Sequence, residues 1–276
     1  VIWSPQQQRA LSAVAAWLRD PDGQQVFRLF GYAGTGKTTL VKHIAEGVVG
    51  KVLFAAFTGK AAHVMREKGC PDASTIHRLI YRLVSEEDGR PRFELDPASE
   101  LRDARLLIVD EASMVDETIG RDLLSFGTPI LVVADPWQLP PIQGCGFLTT
   151  GDPDVMLSEI HRQALNDPII HMSMTVRTGG RLALGTYGAS RVIAGGDIDY
   201  LAADQVLVGR NATRRGSNAM QRSQRGLSGP YPQALTVHKA QGSQWDDVVL
   251  IDESRCFRED RARCTRASQC ITVVTR

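Results

Sequence analysis

The chain has 276 residues, 43% of them hydrophobic, which is enough for two domains of ordinary size with cores of their own. Lys and Arg (32) nearly balance Asp and Glu (31), so a net charge of +1 excludes a bulk positive field, and any affinity for nucleic acid must come from local placement of charge. No apolar run approaches the roughly 18 residues a membrane span needs, and the five cysteines include no C-x-x-C pair, so the expectation is a cytoplasmic, intracellular chain with reduced thiols, no zinc site and no membrane partner.

In chain order, Ser4-Pro5-Gln6-Gln7-Gln8 followed by Ala10, Leu11, Val14, Trp17 and Leu18 predicts a capped amphipathic helix with Pro at its first position. Gln7 on that helix can pair both its amide groups with the edge of adenine, although a surface glutamine is the default for the residue alone. Val26 to Phe30 predicts a short buried strand, Gly31-Tyr32-Ala33-Gly34-Thr35-Gly36-Lys37-Thr38 is a full G-x-x-x-x-G-K-T phosphate loop, and Thr39 to Ala45 has helical spacing of its apolar residues. Strand, glycine turn and helix is the order the motif requires. Gly34 and Gly36 let backbone N–H groups approach phosphates, and the helix N-terminus adds a fixed partial positive charge. Lys37 would reach the β and γ phosphates, and Thr38 would offer its hydroxyl to Mg²⁺.

Lys51 to Phe57 predicts a second strand, with Thr58-Gly59-Lys60-Ala61-Ala62 opening a helix, and Thr75-Ile76-His77-Arg78-Leu79 begins a further short helix for which Ser74 is the expected cap. Between Leu83 and Leu95, Asp88-Gly89 is a two-residue hairpin turn, and Pro91 confines the returning strand to an edge. Leu106 to Glu111 is a buried strand ending in two carboxylates, the form of a Walker B segment. There Asp110 would hold Mg²⁺ through water, and Glu111 would orient and deprotonate the attacking water. Pro129 to Asp135 is a fourth strand that runs into Pro136-Trp137-Gln138, where the Gln138 amide could bond the terminal phosphate of a nucleotide and lose that bond on hydrolysis. Strand alternating with helix from Val26 to Asp135 predicts an α/β, doubly wound parallel sheet covered on both faces.

A second half follows, with strands at Val206 to Val208, Val248 to Ile251 and Cys270 to Val274. No acidic residue falls between Asp204 and Asp246, whereas Arg210, Arg214, Arg215, Arg222, Arg225 and Lys239 do. Charge alone leaves two readings open, a solvated basic face and a groove for a phosphate backbone.

The ordered set Gln7, GYAGTGKTT, FTGKAA, STIHRL, IVDEASM, ADPWQLPPI, LSEIHRQA, LTVHKAQGSQWDDVVL and TRASQCITVV resembles that of superfamily 1 helicases, most closely the RecD-like branch, from Ser4 to Val274. The resemblance implies two RecA-like domains, residues 1–153 and 154–276, with ATP and Mg²⁺ between them and single-stranded DNA across both. It assigns the nucleotide to Gln7, Gly34, Thr35, Gly36, Lys37, Thr38, Thr39 and Gly242, hydrolysis to Asp110 and Glu111, γ-phosphate sensing to Gln138, and arginine fingers to Arg162 and Arg266. Thr58, His77, Thr236, His238 and Lys239 would meet the DNA, mostly at phosphates. The hairpin lies where RecD-like helicases carry a pin that splits the duplex. Movement 5′ to 3′, tailed duplex DNA as substrate, repair or replication proteins as partners and a nucleoid location are implied by the resemblance alone.

Two segments depart from the family pattern. Gly226 to Pro232 leads almost directly into TVHKAQGS, where the family carries an inserted SH3-like barrel, and Arg261-Ala262-Arg263-Cys264 replaces the usual approach to Thr265. Two functions therefore compete: a DNA-dependent ATPase that moves on single strands and unwinds duplexes, and an ATP-gated DNA-binding switch that does not unwind. A phosphoryl-transferring kinase would need an acceptor lid, and the Asp110-Glu111 pair with Gln138 argues against it.

Overall fold

In a computed structural model, residues 2–20, 23–87, 90–138, 146–160, 167–193, 202–225, 234–240, 243 and 245–251 are described. The chain divides into two compact units, Val1–His161 and Arg162–Arg276. The first is built on a six-stranded, wholly parallel sheet whose strands run, from edge to edge, Ser74–Thr75, Val52–Ala56, Leu106–Asp110, Ile130–Ala134, Val26–Gly31 and Val155–Leu157. Its strands are β1 (Val26–Gly31), β2 (Val52–Ala56), β3 (Ser74–Thr75), β6 (Leu106–Asp110), β7 (Ile130–Ala134) and β8 (Val155–Leu157).

The central strands are largely apolar because both faces of the sheet are covered. Side chains alternate across the pleat. Phe27, Leu29, Phe54, Leu106, Ile108, Leu131 and Val133 face one core with α1 (Pro5–Trp17), α2 (Lys37–Gly47) and α3 (Gly59–Glu67). Val26, Phe30, Leu53, Leu107, Val109, Ile130 and Val132 face the other with α4 (Ile76–Ile80) and α5 (Glu117–Leu124). The α/β doubly wound expectation for this unit is met, and the topology decides where chemistry can occur. β7 lies between β1 and β6, so the phosphate loop, the Walker B carboxylates and the segment after Ala134 leave from the carboxyl ends of three adjacent strands.

Ser4 caps α1 in a full capping box: its side chain accepts from Gln7 N, and the Gln7 side chain accepts from Ser4 N. The expected cap of α4 is corrected. Ser74 is in β3, paired beside Ala55, and it is Thr75 whose hydroxyl accepts from Arg78 N at 3.2 Å. β8, which the sequence places after the expected boundary at 153/154, pairs with β1.

From α4 the chain runs into the ribbon β4 (Tyr81–Glu87) and β5 (Arg90–Leu95), antiparallel with Tyr81 opposite Leu95 and Leu83 opposite Phe93. The register shifts between Leu83 and Ser85, leaving Val84 as a bulge, and Leu83, Val84 and Phe93 are exposed. Asp88 and Gly89, the expected turn, lie outside the described residues.

In the second unit, β11 (Gln205–Val208) pairs in parallel with both β12 (Ala234–Thr236) and β13 (Val248–Leu250). It also contains α6 (Pro168–Arg177), α7 (Asn211–Arg225), α8 (Val237–Ala240) and the small ribbon β9 (Gly185–Tyr187) with β10 (Ser190–Val192). The expected last strand, Cys270 to Val274, and the departures near 226–234 and 261–265 fall almost wholly outside the described residues. Among the described residues no helix is long and apolar enough to cross a membrane. Cys70 is a buried free thiol.

Candidate nucleotide site and nucleic-acid face

The phosphate loop turns on two left-handed glycines, Gly34 (φ 79°) and Gly36 (φ 76°), a conformation that a side chain would strain. Gly36 is also the cap of α2 and brings no side-chain bond, and α2 has no acidic residue in its first turn. The N-terminus of α2 thus keeps a partial positive charge that suits an anion. Lys37 arches back over the loop, its Nζ donating to Gly31 O at 2.7 Å and Tyr32 O at 2.9 Å. Thr38 is half-buried and Thr39 exposed in the first turn of α2. Thr35 is buried, its hydroxyl donating to Tyr32 O, and its own carbonyl accepts from Gln7 Nε2 at 3.1 Å. Gln7 is itself buried, so it braces the loop from below as well as closing the capping box.

At the tip of β6, Asp110 Oδ1 accepts from Glu111 N at 2.9 Å. Glu111 has φ 52°, a left-handed conformation that a glutamate adopts only when its surroundings hold it there. Burial raises the pKa of both carboxyls. For Asp110 the Glu111 N–H and the charges of Lys37 and Lys68 act in the opposite sense. For Glu111 the charge of Asp110 adds to burial, and the group is pushed up to about 7. Two carboxylates side by side in a poorly solvated corner fit a hard divalent cation. Among the described residues no group of three or more His, Cys, Asp or Glu side chains could hold a metal, so a cation here would complete its shell with water and phosphate oxygens. From the neighbouring strand, Asp135 is buried and caps the turn by accepting from Trp137 N at 3.0 Å, and Gln138 Oε1 accepts from Ser113 Oγ at 3.4 Å. Gln138 is thereby linked to the turn that follows Glu111.

Thr58 caps α3, its Oγ1 accepting from Ala61 N at 3.1 Å. The pairing of β3 beside β2 brings α4 close to that cap, and the exposed His77 ring lies between Phe57 (5.9 Å) and Tyr81 (5.7 Å). The result is an aromatic track from the end of β2 to the base of the ribbon. An open cavity of about 420 Å³ adjoins it, lined by His77, Tyr81, Phe93, Thr118 and Asp122. The Tyr81 hydroxyl donates to Asp122 of α5, which ties the ribbon to the sheet's cover.

In the second unit Thr236 is buried, His238 half-buried and Lys239 exposed. Burial lowers the His238 pKa. Arg162, Arg266 and Gly242 lie outside the described residues.

The family model of the AAA domain matches residues 3–197, and that of the UvrD-like helicase C-terminal domain matches residues 233–269. The chain belongs to the AAA-domain family, in its superfamily 1, RecD-like branch. It is 36% identical over 172 residues to the ATP-dependent RecD2 DNA helicase of Deinococcus radiodurans, covering 59% of this chain and 23% of the relative. It is 32% identical over 164 residues to the ATP-dependent DNA helicase Dda of Enterobacteria phage T4, covering 54% and 37%. The chain thus spans well under half the length of these curated relatives. The Bacteroides Pif1 helicase solved with ADP-AlF3 and single-stranded DNA superposes with a TM-score of 0.57 at 17% identity, covering 92% of this chain and 87% of that one, a likeness of fold.

In this RecD-like chain the sequence signal missed residues whose partners lie on other elements. Asn218, buried in α7, accepts from Ala234 N at 2.8 Å and donates to Ala234 O at 3.2 Å, which fixes the start of β12 two residues before Thr236. Ser113 and Tyr81 acquire roles only through Gln138 and Asp122. The spacing of α7 could have flagged Asn218 as facing inward, but nothing local names its partner.

Proposed function

We propose that this chain is the motor portion of a DNA helicase: a DNA-dependent ATPase that turns hydrolysis into 5′ to 3′ movement on single-stranded DNA and so unwinds tailed duplexes. The observation that carries the reading is the convergence of the phosphate loop, the Asp110-Glu111 pair and Gln138 at the ends of three adjacent strands. Lys37 would exchange its two loop carbonyls for phosphate oxygens, and the α2 N-terminus with Gly34 and Gly36 would cradle the phosphates. Thr38 and Asp110 would hold Mg²⁺, which when bound supplies neutralisation of the phosphate charge. Glu111 would take the proton of the attacking water, its raised pKa suiting a base near neutral pH. Gln138 would register the γ-phosphate and pass its presence to Ser113. Arg162 and Arg266 would supply positive charge to the phosphoryl group from the second unit, as arginine fingers do.

DNA would follow the track from Thr58 past His77, with Thr236, His238 and Lys239 contributing from the second unit. The assignment to single strands draws support from the relatives, which are named as DNA helicases, and from the exposed aromatic faces at Phe57 and His77. ATP turnover with and without single-stranded DNA, then displacement on duplexes bearing one 5′ or one 3′ tail, tests the proposal. Stimulated turnover with unwinding from the 5′ tail is expected. Turnover without displacement on either substrate would leave the ATP-gated switch, and no stimulation by DNA would remove both.

A further inference from the structure

Gln6 and Gln7 are neighbours in the first turn of α1, yet their side chains hold different parts of the molecule. Gln7 closes the capping box and bonds Thr35 O in the phosphate loop. Gln6 is not needed for either. Its Oε1 accepts from Ser158 N at 2.8 Å and from Glu159 N at 2.9 Å, while its Nε2 donates to Ser158 Oγ at 2.8 Å. One side-chain amide thus makes three bonds to a segment separated from it by most of the first unit. Ordering a long, partly exposed side chain costs conformational entropy, so a single surface bond would contribute little. Three convergent bonds fix both the glutamine and the segment.

The same segment is joined to the phosphate loop from its other side. Gly31 pairs with Leu157 in the register of β1 and β8, and Tyr32 N donates to Leu157 O at 3.1 Å. The approach is close: a Cβ on Gly31 would lie 2.8 Å from Leu157 Cβ and 2.9 Å from the Thr35 hydroxyl. Leu157 is buried, whereas Ser158 and Glu159 have left the sheet and are exposed, and these are the two residues Gln6 holds. The phosphate loop, the exit of β8 and the start of α1 therefore form one closed circuit of hydrogen bonds: Tyr32 to Leu157, Ser158 and Glu159 to Gln6, and Gln7 to Thr35.

We propose that Gln6 is a positioning residue for ATP hydrolysis, clamping Ser158 and Glu159 so that a change in the phosphate loop reaches the chain that leaves the first unit as a single displacement. The inference rests on the nucleotide-hydrolysing reading above. Without the clamp, movement of Tyr32 would be dissipated in a free strand end.

The test uses the full chain, with ADP and Mg²⁺ as the probe. In the wild type, bound ADP slows hydrogen exchange at the Ser158 and Glu159 amides. In Gln6→Ala those amides exchange faster and no longer respond, although a fluorescent ADP still binds with wild-type affinity. Gln6→Ala lowers the kcat for ATP hydrolysis about ten- to a hundredfold with little change in KM, the scale expected when a reacting group is misplaced from a distance. Gln6→Glu keeps the oxygen that accepts both amides and restores most of kcat. Should Gln6→Ala fail to fold, Gln6→Asn, one methylene too short, serves the same comparison. A folded variant with wild-type kcat overturns the proposal, and so does exchange at Ser158 and Glu159 that ADP leaves unchanged in a wild type that binds it. Failure of the wild type to bind ADP removes the nucleotide reading itself, and the clamp's role with it.

Discussion

Under the proposed function the Lys37 amine, which bonds Gly31 O and Tyr32 O, would neutralise phosphate, and the Glu111 carboxylate, raised toward neutrality, would act as the base. Their removal should therefore fail in different ways. Lys37→Ala loses turnover together with nucleotide affinity, whereas Glu111→Gln loses turnover but retains ATP, because Asp110 and the loop remain; filter binding of labelled ATP beside a phosphate-release assay separates the two. At His238 the expected effect is on stability. Burial lowers its folded pKa below the usual 6.5, so at higher pH the imidazole is neutral in both folded and unfolded chains and its contribution is fully present. As pH falls below 6.5 the unfolded chain binds a proton that the folded one resists, and stability is lost until the folded pKa is passed. Thermal melting of the second unit should fall over that range in the wild type and fall less in His238→Gln. A neutral His238 also adds no charge at pH 7, so the salt dependence of DNA binding should change more in Lys239→Ala than in His238→Gln.

Among the elements, the β4–β5 ribbon stands apart because Leu83 and Phe93 pair on one face yet remain exposed, while its base is held by Tyr81 to Asp122 and by Asp96 N donating to Ile80 O at 2.8 Å. An anchored base carrying an exposed apolar face suits a wedge between two strands. Replacing residues 86–92 by a short Gly-Ser turn should leave ATPase and single-strand translocation near wild type and remove duplex unwinding, measured on a 5′-tailed substrate; unwinding at the parent rate would place the wedge elsewhere. α5 offers a sharper packing test. A Cβ at Gly120 would lie 2.1 Å from Phe147 Cδ1 and 2.8 Å from its Cγ, so the ring itself would have to move. Gly120→Ala gains about 1 kcal/mol of helix propensity but should be net destabilising, since overpacking costs about 1–3 kcal/mol, which urea titration would read as a lower midpoint.

For the whole molecule, what was legible in the sequence was whatever is encoded locally. The phosphate loop, the strand ending in Asp110 and Glu111 and the alternation of strand with helix each announce themselves within about ten residues, because periodicity and glycine spacing are short-range signals. β3 and β8 escaped for the opposite reason: two or three residues carry no period, and only pairing with Ala55 or Leu29 makes them strands. The burial of Gln7 against Thr35 and of Thr236 in β12 is likewise set by tertiary contacts that local spacing does not announce. A side chain's partner on another element leaves no mark near the residue itself.

That parallel topology also governs how the molecule can be made. β1, which carries the phosphate loop, finds Ile130 to Ala134 on one side and Val155 to Leu157 on the other, so its neighbours are synthesised more than a hundred residues later. At about 5–20 residues per second of translation, the loop would wait several seconds before anything could close around it. Such distant pairings make for slow refolding, and the nucleotide site is among the last features they complete. After dilution from urea, helical signal should return in an early phase and fluorescent-ADP binding only in the slowest one; binding that recovers with the first helical signal would show the loop maturing independently of its sheet. During that interval the largely apolar β1 is an unpaired strand, so the nascent chain is most exposed to wrong pairing just before the sheet closes around the phosphate loop.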